Sequence, residues 1–188
     1  MDIDAVIFDF DLTLADSSAG IIDCTQHALH ELGHDAAASE QIRPVIGLPL
    51  QAMFHALTVD DRPERADELA RRFVALADEV MVASTKIYPE VPGLLARLRE
   101  RGVATAIVSG KFRYRIEAIR DVADLRASID VIVGGEDVQR HKPDPERLVL
   151  ALSRLEVPAS FDAWSSLGKD AVRRDLGELA DIIRRRAS

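Results

Sequence analysis

Ala5-Val6-Ile7-Phe8 is an unbroken apolar run that stops at two aspartates, Asp9 and Asp11. Continuous rather than alternating apolar character marks a strand covered on both faces, as in a parallel sheet layered between helices. Two similar runs come much later, 103–108 after Gly102 and 129–133 before Gly134 and Gly135. Each follows a helical stretch: Pro92 to Arg101, closed by Gly102, and Phe112 to Val122, with Ile116, Ile119 and Val122 at helical spacing. Strands alternating with helices predict an α/β fold built on an open parallel sheet.

Between the first strand and Pro92 lies far more chain than the single crossover helix that two parallel strands require. It reads as helix throughout. Ser17 or Ser18 can cap a helix with Ile21, Ile22, Thr25, Ala28, Leu29 and Leu32 on one face, ending at Gly33; Pro49 can open another with Met53, Phe54 and Leu57. Pro63 then starts a long helix with Leu69, Phe73, Leu76, Ala77 and Val80 aligned. The expected division is a core of residues 1–15 and 89–188 and an inserted helical cap of residues 16–88, with the two connections side by side as a hinge.

Composition narrows the partners. Of 188 residues, 24 are Lys or Arg and 32 are Asp or Glu, a net charge of −8, and no dense basic run offers a surface to nucleic acid. No apolar stretch approaches the ~20 residues needed to cross a bilayer, and the acidic start carries no evident secretory signal. Cys24 is the single cysteine, so no intramolecular disulfide framework forms, and a cytoplasmic setting is expected.

The chemistry gathers at strand ends. In extended backbone, residues two apart point the same way, so Asp9 and Asp11 project together while Phe8 and Phe10 face the other side. Ligand sites of open α/β sheets lie beyond the carboxyl ends of strands. Two close carboxylates either share a divalent cation such as Mg²⁺ or divide into a nucleophile and a general acid. Ser109 and Gly110 follow the second strand and precede a helix, where a hydroxyl and backbone N–H groups can meet an anion. Lys142, in His141-Lys142-Pro143-Asp144-Pro145, follows the third strand; held there by a stiff loop, it can supply the one positive charge that two carboxylates and a dianionic substrate need in common.

Asp9-Phe10-Asp11-Leu12-Thr13-Leu14, then Ser109 after a strand, then Lys142-Pro143, resembles the haloacid dehalogenase-like (HAD) hydrolase superfamily over about residues 3 to 157, nearest its phosphoglycolate phosphatase-like branch. The resemblance implies a Rossmann-like core with a helical cap, and a Mg²⁺-dependent phosphomonoesterase acting on a small phosphorylated metabolite. Residue by residue, Asp9 matches the nucleophile that becomes an aspartyl-phosphate and Asp11 the acid/base. Ser109, with Gly110 beside it, matches the phosphate-binding hydroxyl, and Lys142 the lysine that steadies nucleophile and phosphoryl group. In this family Mg²⁺ bridges the matched Asp9 carboxylate, the Asp11 backbone carbonyl and the phosphate. Aspartate rather than an aromatic residue at position 11 points to phosphoryl transfer and away from dehalogenation. The same resemblance admits a sugar-phosphate mutase with the same nucleophile.

The family's fourth motif, a buried strand ending in Gly-Asp with a further Asp shortly after, is not evident. One alignment makes 161–167 a poor strand, with Asp170 and Asp175 as a displaced acidic pair; the other leaves that strand out, a core shortened at the C-terminus. The polar run from Asp162 to Leu167 favours the second. A shortened core admits a catalytically impaired binding protein, and its bare sheet edge invites a homodimer. Arg43, near Pro44 and Gly47, is the candidate cap contact to a second anionic group on the substrate. His27, His30 and His34 lack an evident acidic or cysteine partner for zinc, Gly110-Lys111 does not complete a phosphate loop, Cys24 and Trp164 read as packing residues, and Arg184 to Arg186 close a helix at its negative end.

Overall fold

A computed structural model describes residues 4–142 and 144–157. These form two compact units, one running to Ala15 and resuming at Ile87, the other Asp16–Lys86. No described helix is long and apolar enough to cross a membrane.

The first unit is built on a three-stranded sheet in the order β1-β4-β5, with β1 Ala5–Phe8, β4 Ala104–Val108 and β5 Val131–Val133. Both pairings are parallel, with Phe8 opposite Ile107 and Val108 opposite Val133. Every residue of β4 from Thr105 onward is buried, because helices cover both faces. Ala106, Val108 and Val133 pack on Ala151 of α7 (Glu146–Leu155), with Leu148, Leu150 and Leu155 closing the rim. Helix α5 (Val91–Glu100) contributes Val91, Leu94, Leu95 and Leu98, all buried. It ends as its sequence predicts: Gly102 takes φ 68°, and Gly102 N and Val103 N donate to Arg99 O and Leu98 O at 3.0 Å each.

The third strand is shorter than its apolar run. Asp130 interrupts it by folding its carboxylate back on β4, accepting from Thr105 N at 2.7 Å and Thr105 Oγ1 at 3.2 Å. After β5 the chain passes so close to helix α6 (Arg113–Val122) that a Cβ on Gly134 would lie 2.2 Å from Arg113 N, and one on Gly135 2.6 Å from Gly110 O. Both obstacles are backbone and cannot rotate aside. Gly134→Ala is therefore expected to cost about 1–3 kcal/mol, typical of overpacking, read as a lower denaturant midpoint with unchanged slope.

The second unit is helical: α1 Ser18–Glu31, the short α2 Ser39–Ile42, α3 Leu50–Leu57 and α4 Pro63–Ser84. Its interior holds Ile21, Cys24, Ala28 and Leu29 of α1, Met53 and Phe54 of α3, and Leu69, Phe73, Ala77 and Met81 of α4. Gly20 lets α1 and α4 touch, since a Cβ there would meet Ser84 Oγ at 2.2 Å. The start of α1 differs from the expected serine cap. Asp16 Oδ1 accepts from Ser18 N at 2.9 Å, while Ser17 Oγ accepts from Thr85 Oγ1 at 3.2 Å. His34 does have an acidic partner: its Nε2 lies 3.7 Å from Asp60 Oδ2, a carboxylate shared with Arg62 and Arg65 and held well below the usual range, chiefly by the Arg62 hydrogen bond. Segments β2 (Ala15–Asp16) and β3 (Lys86–Ile87) pair as a two-stranded sheet.

Candidate active site

β1 ends in a tight turn organised by one oxygen. Phe10 O accepts from Thr13 N, Leu14 N and Ala15 N at 3.2, 3.0 and 3.2 Å, while Leu12 N donates to Ala15 O at 2.8 Å. Leu12 adopts φ 60°, a left-handed conformation that costs a side-chain-bearing residue roughly 1–2 kcal/mol and is offset here by those bonds and by burial of Phe10 and Leu14. The turn leaves Asp9 and Asp11 at the carboxyl end of the strand. Asp9 Oδ1 accepts from Phe10 N at 2.8 Å, which fixes its carboxylate against its own backbone.

The two aspartates do not share one ammonium. Lys142 Nζ lies 3.1 Å from Asp9 Oδ2, a pair about two-fifths exposed on each side (44% and 40%). A second lysine, Lys111, places Nζ 3.2 Å from Asp11 Oδ1, and this pair is enclosed (4% and 15% exposed). The sequence pattern points to Lys142 alone. In the sequence Gly110-Lys111 reads as a fragment of an incomplete phosphate loop; the available signal is a lysine two positions after Ser109, in the loop that follows the strand neighbouring β1.

Ser109 follows β4 directly, and its N–H donates to Val133 O at 3.1 Å, so the loop after β4 continues the sheet pairing. Ser109 Oγ accepts from Lys111 N at 3.2 Å, and Lys111 O accepts from Gly135 N at 3.0 Å. Gly110 therefore sits in a loop clamped on one side by the serine and on the other by the turn that follows β5. Ser109, Gly110 and Lys111 are joined to the aspartates through the Lys111–Asp11 contact, and Lys142 through Asp9.

The loop carrying Lys142 is braced from α7. Glu146 accepts from Arg140 N at 2.9 Å, Glu146 N donates to Asp144 Oδ1 at 2.9 Å, and Asp144 N donates to His141 O at 3.0 Å. Arg140 N holds the Glu146 carboxyl below its ordinary value. Beneath the loop lies Arg147, 3% exposed, whose guanidinium donates to His141 Nδ1. Burial holds its pKa below the ordinary arginine value, with the carboxylates of Asp9, Glu146 and Glu136 opposing the shift.

Asp137 ties the β5 loop to α6 and α7, accepting from Gly134 N at 2.8 Å and pairing with Arg113 and Arg154 at 3.2 and 3.3 Å. Burial alone would raise its pKa, but the Gly134 N–H, Arg154 and Arg113 outweigh it and leave the carboxyl below the usual range. A depressed carboxylate stabilises the fold fully above its unfolded-state pKa, and that contribution is lost as pH falls through the folded one. Asp137→Asn is expected to lose about 1–3 kcal/mol near neutrality, and its gap from the parent in denaturant midpoint should narrow steadily on acidification.

The donor set around Asp9 and Asp11 is all oxygen, which suits a hard cation. Among the described residues no group of three His, Cys, Asp or Glu side chains could enclose a metal. Mg²⁺ is such a hard cation; it keeps several waters and takes one or two carboxylates. Asp170 and Asp175, the candidates for further metal ligands, lie outside the described residues, as do Pro143, Trp164 and Arg184 to Arg186, and with them the question of a shortened core.

A family model described as haloacid dehalogenase-like hydrolase matches residues 6–161. The chain belongs to the haloacid dehalogenase-like hydrolases. Curated proteins similar to it include a Dickeya dadantii protein named "Probable phosphatase IndB", 34% identical over 169 residues, spanning 84% of this chain and 70% of that protein. Another is a phosphoglycolate phosphatase of Aquifex aeolicus, 31% identical, spanning 80% and 69%. Among solved structures, a haloacid dehalogenase-like hydrolase from Bacteroides fragilis superposes with a TM-score of 0.80 at 35% identity, covering 84% of this chain and 75% of that one. The α/β core with its parallel sheet is the fold this hydrolase family shares.

Proposed function

We propose that this hydrolase is a Mg²⁺-dependent phosphomonoesterase that acts on a small phosphorylated metabolite, phosphoglycolate-like in size and charge, through an aspartyl-phosphate on Asp9. The observation that carries the reading is the pairing of Lys142 Nζ with Asp9 Oδ2 at 3.1 Å, at the end of β1 and in reach of solvent. A carboxylate nucleophile approaches a phosphate dianion only when nearby charge is neutralised, and phosphoryl transfer asks the protein mainly for positioning and electrostatics.

In this reading Asp9 attacks phosphorus as the ester oxygen departs, and Asp11 donates the proton that the departing alkoxide needs. Asp11 then takes a proton from the water that hydrolyses the aspartyl-phosphate. Ser109 and the Gly110 backbone bind the phosphoryl oxygens, and Lys142 steadies both nucleophile and phosphoryl group. Mg²⁺, held by the Asp9 carboxylate and the Asp11 main-chain carbonyl, would supply further charge neutralisation. Residues 16–88 serve as the cap that limits water and chooses the substrate, with exposed Arg43 as its cationic contact.

The test is p-nitrophenyl phosphate turnover with Mg²⁺, with Asp9→Asn alongside. Release of free phosphate by the parent and none by the variant supports the reading; equal rates end it. The names of similar proteins favour phosphate esters as substrates, one of them phosphoglycolate.

A further inference from the structure

The proposed chemistry gives Asp11 a proton to deliver but does not say what aims it. Asp11 Oδ1 is buried and accepts no directional hydrogen bond among the described residues; the cation beside it is Lys111 Nζ at 3.2 Å. Lys111 is itself immobilised. Its side chain is 4% exposed, its N–H is bonded to Ser109 Oγ, and its carbonyl is bonded to Gly135 N. The two lysines thus differ in kind: Lys142 is open to solvent, where a ligand can reach it, and Lys111 is shut in against one oxygen of one carboxylate.

From this geometry we infer that Lys111 is a positioning residue for proton delivery, fixing the Asp11 carboxyl through Oδ1 so that Oδ2 faces the leaving group. The inference rests on the phosphomonoesterase reading. As the Asp9 oxygen–phosphorus bond forms and the phosphorus–alkoxide bond breaks, the proton on Asp11 Oδ2 moves to the alkoxide oxygen. An ammonium held 3.2 Å from Oδ1 pins the carboxyl by charge attraction and leaves Oδ2 as the oxygen from which the proton is passed.

The leaving group reads this role directly. Nitrophenolate departs without help from an acid, whereas a simple alkoxide needs the proton. Measuring kcat/KM, which reports through the first phosphoryl transfer, on p-nitrophenyl phosphate and on ethyl phosphate separates aim from binding. Lys111→Met is expected to lose on the order of 10²-fold on ethyl phosphate, in the range of general-acid contributions, and to change little on p-nitrophenyl phosphate. Lys111→Arg, which keeps the cation, should recover most of the ethyl phosphate rate. Because the readout is a ratio of two substrates on one preparation, a misfolded fraction cancels. Should Lys111→Met not fold, the ratio for Lys111→Gln takes its place.

Equal losses on both esters, no loss on either, or an arginine variant as impaired as methionine would overturn the inference. An inactive Asp9→Asn alongside an unchanged ester ratio removes the role of Lys111 and leaves the phosphomonoesterase reading standing. An active Asp9→Asn removes that reading first.

Discussion

Asp9→Asn should lower phosphate release by at least ~10⁴-fold, in line with removal of a covalent nucleophile. The substitution is close to isosteric. The amide oxygen can still accept from Phe10 N, as Asp9 Oδ1 does at 2.8 Å, so the turn and its three bonds to Phe10 O should survive. What vanishes is the anionic oxygen that attacks phosphorus, and with it the acyl phosphate. A hydroxylamine-sensitive phosphoryl adduct in the parent, absent from the variant, is the direct readout. Binding of inorganic phosphate should persist or tighten, because Lys142 loses its carboxylate partner and becomes available to the anion.

Lys142→Met should cost about 10²–10³-fold in kcat/KM, the usual penalty for deleting one preorganised donor to developing charge. The Lys142–Asp9 pair is near two-fifths exposed, so its worth to folding is small, and the unfolding midpoint should move little. The loss is thus expected in turnover rather than stability. Lys142→Arg should recover only part of the rate, since a planar guanidinium cannot occupy the position of a compact ammonium. An unchanged kcat/KM in Lys142→Met would remove the residue from the proposed chemistry.

The sheet was readable because its signals are local. The apolar runs mark the three strands of the parallel sheet but not β2 and β3, and Gly102 and Gly33, both at positive φ, mark the ends of α5 and α1. Where sequence reading erred, a side chain had acted over distance. Asp130 shortened β5 by bonding to Thr105 on another strand, and Asp60 supplied the partner of His34 from a loop beyond α3. Helix α7 is masked in the sequence by Pro143 and Pro145, which read as a stiff loop, although Leu148, Ala151 and Leu155 stand at helical spacing. In the candidate site, Asp9, Asp11, Ser109 and Lys142 were visible as motif residues. Lys111 was not, because its importance lies in a contact with Asp11 that no window of sequence contains.

The separate lysine partners of Asp9 and Asp11 have a consequence for how ligands are told apart. On the proposed function, the resting site presents paired rather than naked anions, so its local field is short-ranged and an approaching phosphorylated molecule is neither strongly repelled nor drawn in from afar. Entry becomes an exchange of partners in which the newcomer takes over ammonium contacts that a carboxylate held before. Selection among rival esters is accordingly made at touching distance, by which of them completes that exchange, and not by the journey toward the protein.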